Sequence, residues 1–133
     1  YTNAPPDELL NKIYNACDVG INTANGEGWG LVPFEHASCR KPLVLPNHTS
    51  FGDIWKGSAL LADVAAWVYD KDLGVERGIV DVSDAAVKLT KLYTDKAFYN
   101  DVAESCFKVT QNPAYRWDRI SEAFNKAMEE LSK

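Results

Sequence analysis

The spacing of apolar positions along the chain switches between helical and strand-like periods. Leu10, Ile13, Tyr14 and Cys17 recur at i, i+3, i+4 and i+7 behind Pro5-Pro6-Asp7-Glu8, and predict an amphipathic helix running to about Cys17. Val19-Gly20-Ile21 then reads as a strand, and Pro33 and Glu35 suit the first turn or two of a second helix. Pro42-Leu43-Val44-Leu45-Pro46 is a continuous apolar run between prolines, the pattern of a buried parallel strand. A polar loop is expected from Asn47 to Gly52. Ser58-Ala59-Leu60-Leu61 and Ala66-Trp67-Val68-Tyr69 read as short strands or strand-like segments, the first left ambiguous by its periodicity.

The last third predicts three helices. Ser83 is the expected cap of the first, with Ala86, Leu89 and Tyr93 on one face and Thr94-Asp95 closing it. Phe98, Val102, Cys106 and Val109 line up at i, i+4, i+8 and i+11 along the second, which Asn112-Pro113 breaks. Trp117, Ile120, Phe124, Ala127 and Leu131 give the third a single apolar stripe. Strands alternating with helices, followed by a helical tail, predict an α/β fold with a parallel sheet between helical layers.

Composition narrows the function classes. A chain of 133 residues is one domain's worth, and 46% hydrophobic with 25% charged residues is ordinary for a globular protein. The net charge is −5, Lys and Arg do not cluster, and basic residues do not alternate with aromatic ones, so nucleic acid is not an expected partner. No apolar run approaches the roughly 20 residues of a membrane span, Tyr1 opens no signal peptide, and a cytoplasmic protein is expected. Cys17, Cys39 and Cys106 are odd in number and form no C-x-x-C, which favours free thiols over a disulfide framework or a zinc site. Asn47-His48-Thr49 matches a glycosylation sequon, which carries no meaning in a cytosolic protein.

The candidate chemistry sits between the first strand and the second helix, in Ala24-Asn25-Gly26-Glu27-Gly28-Trp29-Gly30-Leu31-Val32-Pro33-Phe34-Glu35. Three glycines within five positions let backbone come close to a ligand, and the free N–H groups and positive dipole end of a helix start favour phosphate. Glu27 on the loop and Glu35 on the helix, eight residues apart, frame that turn. Carboxylates repel phosphate but accept hydrogen bonds from hydroxyls. A ligand with phosphates in its middle and hydroxyls at both ends, the shape of a nucleotide-sugar, suits the arrangement. Trp29 reads as a packing residue under the loop. His36 and His48 read as ordinary helix and loop residues, and Asp70-Lys71-Asp72 as a solvent-facing charged turn, not a metal site.

The run from Glu27 to Glu35, continued by His36-Ala37-Ser38-Cys39-Arg40-Lys41-Pro42-Leu43-Val44, resembles the E-x7-E segment of retaining GT-B glycosyltransferases of the family 4 type. The family pattern reads E-G-F-G-L, then E-A, a small-residue stretch and G-x-P-V-V. Upstream, Asp7-Glu8-Leu9-Leu10 through Tyr14-Asn15-Ala16-Cys17-Asp18-Val19 resembles the family's helix ending in A-D before a strand. Downstream, Arg77-Gly78-Ile79-Val80-Asp81-Val82-Ser83-Asp84 resembles its G-x-L-V-x-P-x-D lead into the next helix.

The resemblance implies that residues 1–133 form most of the C-terminal, nucleotide-sugar-binding half of a GT-B fold. The acceptor domain, and the upstream G-R and Lys pair that neutralises the diphosphate in the family, are expected in the rest of a longer chain. It further implies that Glu27 binds hydroxyls of the transferred sugar and acts in catalysis. Gly28, Trp29, Gly30, Leu31 and Val32 would bind sugar and diphosphate through backbone N–H groups, and Glu35 would bind the ribose. The implied partners are a nucleotide-sugar donor, GDP-mannose ahead of UDP-glucose, and a glycan, lipid or protein acceptor. Neither a metal nor another cofactor is implied. Two departures stand out. Arg40 replaces the glycine that would end the E-helix in left-handed backbone, and Asn47-His48-Thr49-Ser50-Phe51-Gly52-Asp53 replaces the family's G-G-x-x-E loop. Two other classes fit the residues: a non-catalytic nucleotide-sugar or partner-binding module, and a retaining glycosidase using Glu27 and Glu35, which the phosphate-suited turn argues against.

Overall fold

A computed structural model describes residues 5–132, so the reading of Tyr1 lies outside the described residues. Helix α1 (Asp7–Ala16) leads into β1 (Gly20–Ile21), α2 (Leu31–Ser38), β2 (Leu43–Pro46), α3 (Thr49–Ile54) and β3 (Leu60–Ala62). A hairpin of β4 (Val64–Asp70) and β5 (Val75–Val80) follows, then α4 (Val82–Thr94), α5 (Lys96–Thr110), a 3-10 turn at Pro113–Tyr115, and α6 (Trp117–Leu131).

Strands β1, β2 and β3 form a parallel sheet in that order, pairing Gly20 with Leu43 and Val44 with Leu60. Helices α2, α3, α4 and α5 all pack against β2. A central parallel strand is covered on both faces, so every side chain along it must be apolar. Leu43, Val44 and Leu45 are each 1% exposed, and Ala37, Phe51, Trp55 and Cys106 close around them at 0%. Phe98, Val102, Cys106 and Val109 of α5 all join this core, as their spacing predicts. Burial pushes the Cys106 thiol up to about 11.

Four local expectations are corrected. The stretch from Asn47 is not a loop as far as Gly52: α3 starts at Thr49, because Phe51, Ile54 and Trp55 fall at i, i+3 and i+4 and the first and last of them enter the core. Asp81, not Ser83, caps α4, its carboxylate accepting the Ser83 and Asp84 N–H groups at 2.8 and 3.0 Å. That helix buries Ala85 and Leu92, which leaves Tyr93 91% exposed. Asp70 is not simply solvent-facing. Its Oδ2 accepts Arg77 Nε at 2.7 Å, its Oδ1 accepts the Asp72 and Leu73 N–H groups, and the Arg77 guanidinium holds the carboxyl below its usual range. Helix α1 ends at Ala16, as its periodicity predicts, and buries no residue.

Arg40 does adopt the left-handed backbone that glycine would serve there, with φ +56°. Its side chain offsets the cost by reaching α5, where the guanidinium lies 3.8 Å over the Phe107 ring and donates to Glu104 at 2.5 Å. Helix α6 buries nothing: Trp117, Phe124 and Leu131 are 83%, 67% and 83% exposed.

Candidate functional site

The loop from Asn22 to Gly30 leaves the carboxyl end of β1 and ends in the N-terminus of α2. At its last position Gly30 has φ +88°, and a Cβ there would lie 2.4 Å from Phe51 Cε1. The backbone region strains any other residue and the space leaves no room for a side chain. The aromatic wall extends outward: Trp29 stacks on Phe34 at 5.1 Å and 8°, and Tyr115 from the 3-10 turn meets both rings edge-on. Trp29 is thus the packing residue expected, half-exposed at 39%. Gly28 is exposed, and Leu31 and Val32, at 68% and 55%, stand free on the first turn of α2.

Glu27 is half-buried on the loop and hydrogen-bonded through both its side chain and its backbone. Its Oε1 accepts the N–H groups of Gly28 and Trp29 at 3.0 and 3.5 Å, so the carboxylate sits on the donors that an anionic ligand would use. Its own N–H donates to Thr49 Oγ1 at 3.3 Å, and its carbonyl accepts from Ser50 Oγ at 3.0 Å. The preceding residue but one is tied to the hairpin, where Asn25 accepts Gly78 N–H on its carbonyl at 3.1 Å and Arg77 Nη1 on its side chain at 3.0 Å.

Glu35 has a different set of neighbours. It is exposed, and its Oε2 accepts the Tyr14 hydroxyl at 2.8 Å across the seam between α1 and α2. Burial, followed by this hydrogen bond to a carboxylate, pushes the Tyr14 phenol up to about 12. The two residues belong to an open groove of about 410 Å³ with Asp7, Leu10, Asn11, Ser38 and Cys39, and Glu27 is not part of its lining. The structure therefore groups Glu27 with the start of α3 and Glu35 with α1.

The histidines are less ordinary than their sequence positions suggest. His36 and His48 are 6% and 5% exposed, and the Nε2 of each has no hydrogen-bond partner. Burial lowers the pKa of both, with Lys41 adding to the effect at His36. The His48 ring is pressed against β5, where a Cβ on Gly78 would lie 2.6 Å from its Cδ2, and it meets Trp67 edge-on at 5.8 Å. Next to it Thr49 takes φ +49°, an outlier for a β-branched residue. Sequence reasoning missed Tyr14, Thr49, Ser50, Arg77 and Tyr115 at this site. The signal for the hydroxyl pair was their position directly after the carboxyl end of a central strand, where loops of α/β sheets meet ligands.

Among the described residues no group of three or more His, Cys, Asp or Glu is placed to hold a metal ion, and no helix is long and apolar enough to cross a membrane.

No protein-family model matches the chain, and no curated protein matches it in sequence. Among solved structures it is similar to the sucrose-phosphate synthase from Thermosynechococcus elongatus, with a TM-score of 0.71 at 17% identity. The match covers 98% of this chain and 29% of that one. The likeness shows the fold: the α/β Rossmann-like part of a GT-B architecture, as the sequence implied.

Proposed function

We propose that this chain is the donor-binding portion of a glycosyltransferase that moves a hexose from a nucleotide-diphosphate sugar to an acceptor hydroxyl with retention of configuration. The observation that carries the reading is the turn from Glu27 to Val32, where a carboxylate, two exposed-side N–H donors and a helix start are held together by Gly30 and the α3 hydroxyls. The similarity in fold to an enzyme named as a sucrose-phosphate synthase supports it.

In this reading the Gly28 and Trp29 N–H groups exchange the Glu27 carboxylate for oxygens of the donor, and Glu27 turns to hydroxyls of the transferred sugar. The N–H groups from Gly30 to Val32 face the diphosphate, where the dipole of α2 stabilises negative charge as the leaving group departs. Glu35 accepts from the ribose through Oε1 while Tyr14 holds Oε2. No enzyme nucleophile takes part: the acceptor attacks from the face the diphosphate leaves, and the departing phosphate helps take its proton. Positioning then supplies most of the rate. The reaction needs no metal, the enzyme is cytoplasmic, and the remainder of its chain supplies the acceptor site and the cations that face the diphosphate. GDP-mannose is the first donor to try and UDP-glucose the second.

A thermal-shift panel of GDP-, UDP- and ADP-sugars on the full-length protein tests this. One class should raise the melting temperature, since ligand at a hundred times its Kd adds about 2.7 kcal/mol to folding stability. A flat response to all three classes would sink the reading.

A further inference from the structure

The loop and α3 are joined in a way that the transferase reading does not by itself require. Glu27 is bound on both sides of its backbone by adjacent hydroxyls: its N–H goes to Thr49 Oγ1 at 3.3 Å, and its carbonyl accepts from Ser50 Oγ at 3.0 Å. A residue with both its N–H and its C=O engaged has little freedom in the two dihedrals that aim its side chain. Thr49 makes its contact from left-handed backbone, φ +49°, which costs a β-branched residue free energy that glycine in that place would avoid. Strain of this kind persists where the surrounding structure over-determines it, and it gathers at functional sites. The surroundings are in place here. Thr49 Oγ1 also contacts His48 Nδ1 at 3.3 Å, and His48, 5% exposed, is wedged between α3 and the hairpin against Gly78 and Trp67. One residue further on, Phe51 fills the space that Gly30 leaves open.

We infer that Thr49 and Ser50 are positioning residues: their hydroxyls clamp the Glu27 backbone and so fix where its carboxylate points when the donor binds. The inference rests on the transferase reading for its consequence in catalysis, but the clamp itself is a property of the fold. His48 backs the clamp by packing against it, its Nδ1 3.3 Å from Thr49 Oγ1. Neither hydroxyl touches the reacting atoms. Their effect on the reaction is therefore on turnover, through the placement of Glu27, and not on the affinity for the nucleotide.

The test uses the full-length protein and the variants Thr49→Val, Ser50→Ala and Thr49→Ser. Valine keeps the β-branch and the volume and removes only the hydroxyl, while serine keeps the hydroxyl. Two readouts are taken: amide hydrogen exchange across residues 25–30, and donor kinetics. Exchange in that segment should quicken about tenfold or more in Thr49→Val and Ser50→Ala. The same variants should lower kcat about ten- to a hundredfold, the range for a small misplacement of a reacting group, with donor KM within about twofold of wild type. Thr49→Ser should match the wild type in both. Unchanged exchange in both hydroxyl-deleted variants overturns the clamp, and faster exchange with unchanged kcat overturns the positioning role. A Thr49→Ser variant as impaired as Thr49→Val also overturns it. If Thr49→Val does not fold, Ser50→Ala decides alone. If the wild-type protein turns over no nucleotide-sugar, the transferase reading falls, and the exchange arm still decides the clamp.

Discussion

Strand β2 and helix α6 carry equally clear apolar patterns and end in opposite surroundings. Leu43, Val44 and Leu45 are each 1% exposed, whereas Trp117, Phe124 and Leu131 lie between 67% and 83% exposed. Periodicity locates an apolar face but is silent on what covers it. On β2 four helices of the same chain do so, and the candidate site is mounted on that closed side, through Phe51 against Gly30 and the α3 hydroxyls against Glu27. On α6 the covering surface is not among the described residues. A contiguous stripe of that kind marks an interaction face.

The same substitution placed in each region gives the sharpest contrast. Phe51→Ala should cost about 3–5 kcal/mol in chemical denaturation of the 133-residue chain, because it opens a cavity beside Gly30 as well as removing buried area. A cost below about 1 kcal/mol would mean that the α3 wall is not part of the cooperative core.

A smaller effect should appear on acidification, again on the closed side. The folded state lowers the pKa of His36 and His48 below 6.5, chiefly by burying their neutral rings. Their contribution is fully present above pH 6.5 and is lost as pH falls through that value toward the folded pKa, because the unfolded chain then binds protons the fold resists. Melting temperature should therefore drop between about pH 7.5 and 5, and His48→Gln should flatten the slope. A stability that stays level or rises over that window would contradict the burial of both rings.

The smallest effect is expected on α6. Phe124→Ala should change the stability of the 133-residue chain by no more than about 0.5 kcal/mol, as for other exposed positions. In the longer chain proposed above, the same change should cost more if that chain covers α6. A loss above about 2 kcal/mol in the short chain would show that α6 folds back on its own domain and would erase the contrast.

Much of the fold was legible in the sequence because the deciding patterns are local. The prolines around Leu43-Val44-Leu45, the spacing of Phe98, Val102, Cys106 and Val109, and the glycines between β1 and α2 each point to one outcome whatever the tertiary setting. The misses come from competition between neighbouring residues and from packing that the sequence does not display. Asp81 displaced Ser83 as the cap in Asp81-Val82-Ser83-Asp84, where three of the four residues cap well. Phe51 and Trp55 drew a polar-looking stretch into a helix because the core had room for both. The hairpin partner of Asp70 is seven residues away at Arg77, on a strand not foreseen as such. At the candidate site Glu27, Glu35 and the glycines stood out by spacing. Tyr14, Thr49 and Ser50 did not, because their roles arise only once α1 and α3 are brought against the loop.

The central claim is that the two glutamates serve different parts of one donor, and steady-state donor kinetics of the full-length Glu27→Ala and Glu35→Ala variants test it most directly. The sugar ring flattens and gains positive charge on the way to the transition state, so a carboxylate beside it is worth more there than in the ground state, and Glu27→Ala should mainly lower kcat. The ribose changes little, so Glu35→Ala should mainly raise donor KM. Each loss should be about 1.5–3 kcal/mol, or roughly ten- to a hundredfold. Equal effects of both variants on both parameters, or a Glu35→Ala enzyme that loses turnover at unchanged KM, would contradict the account.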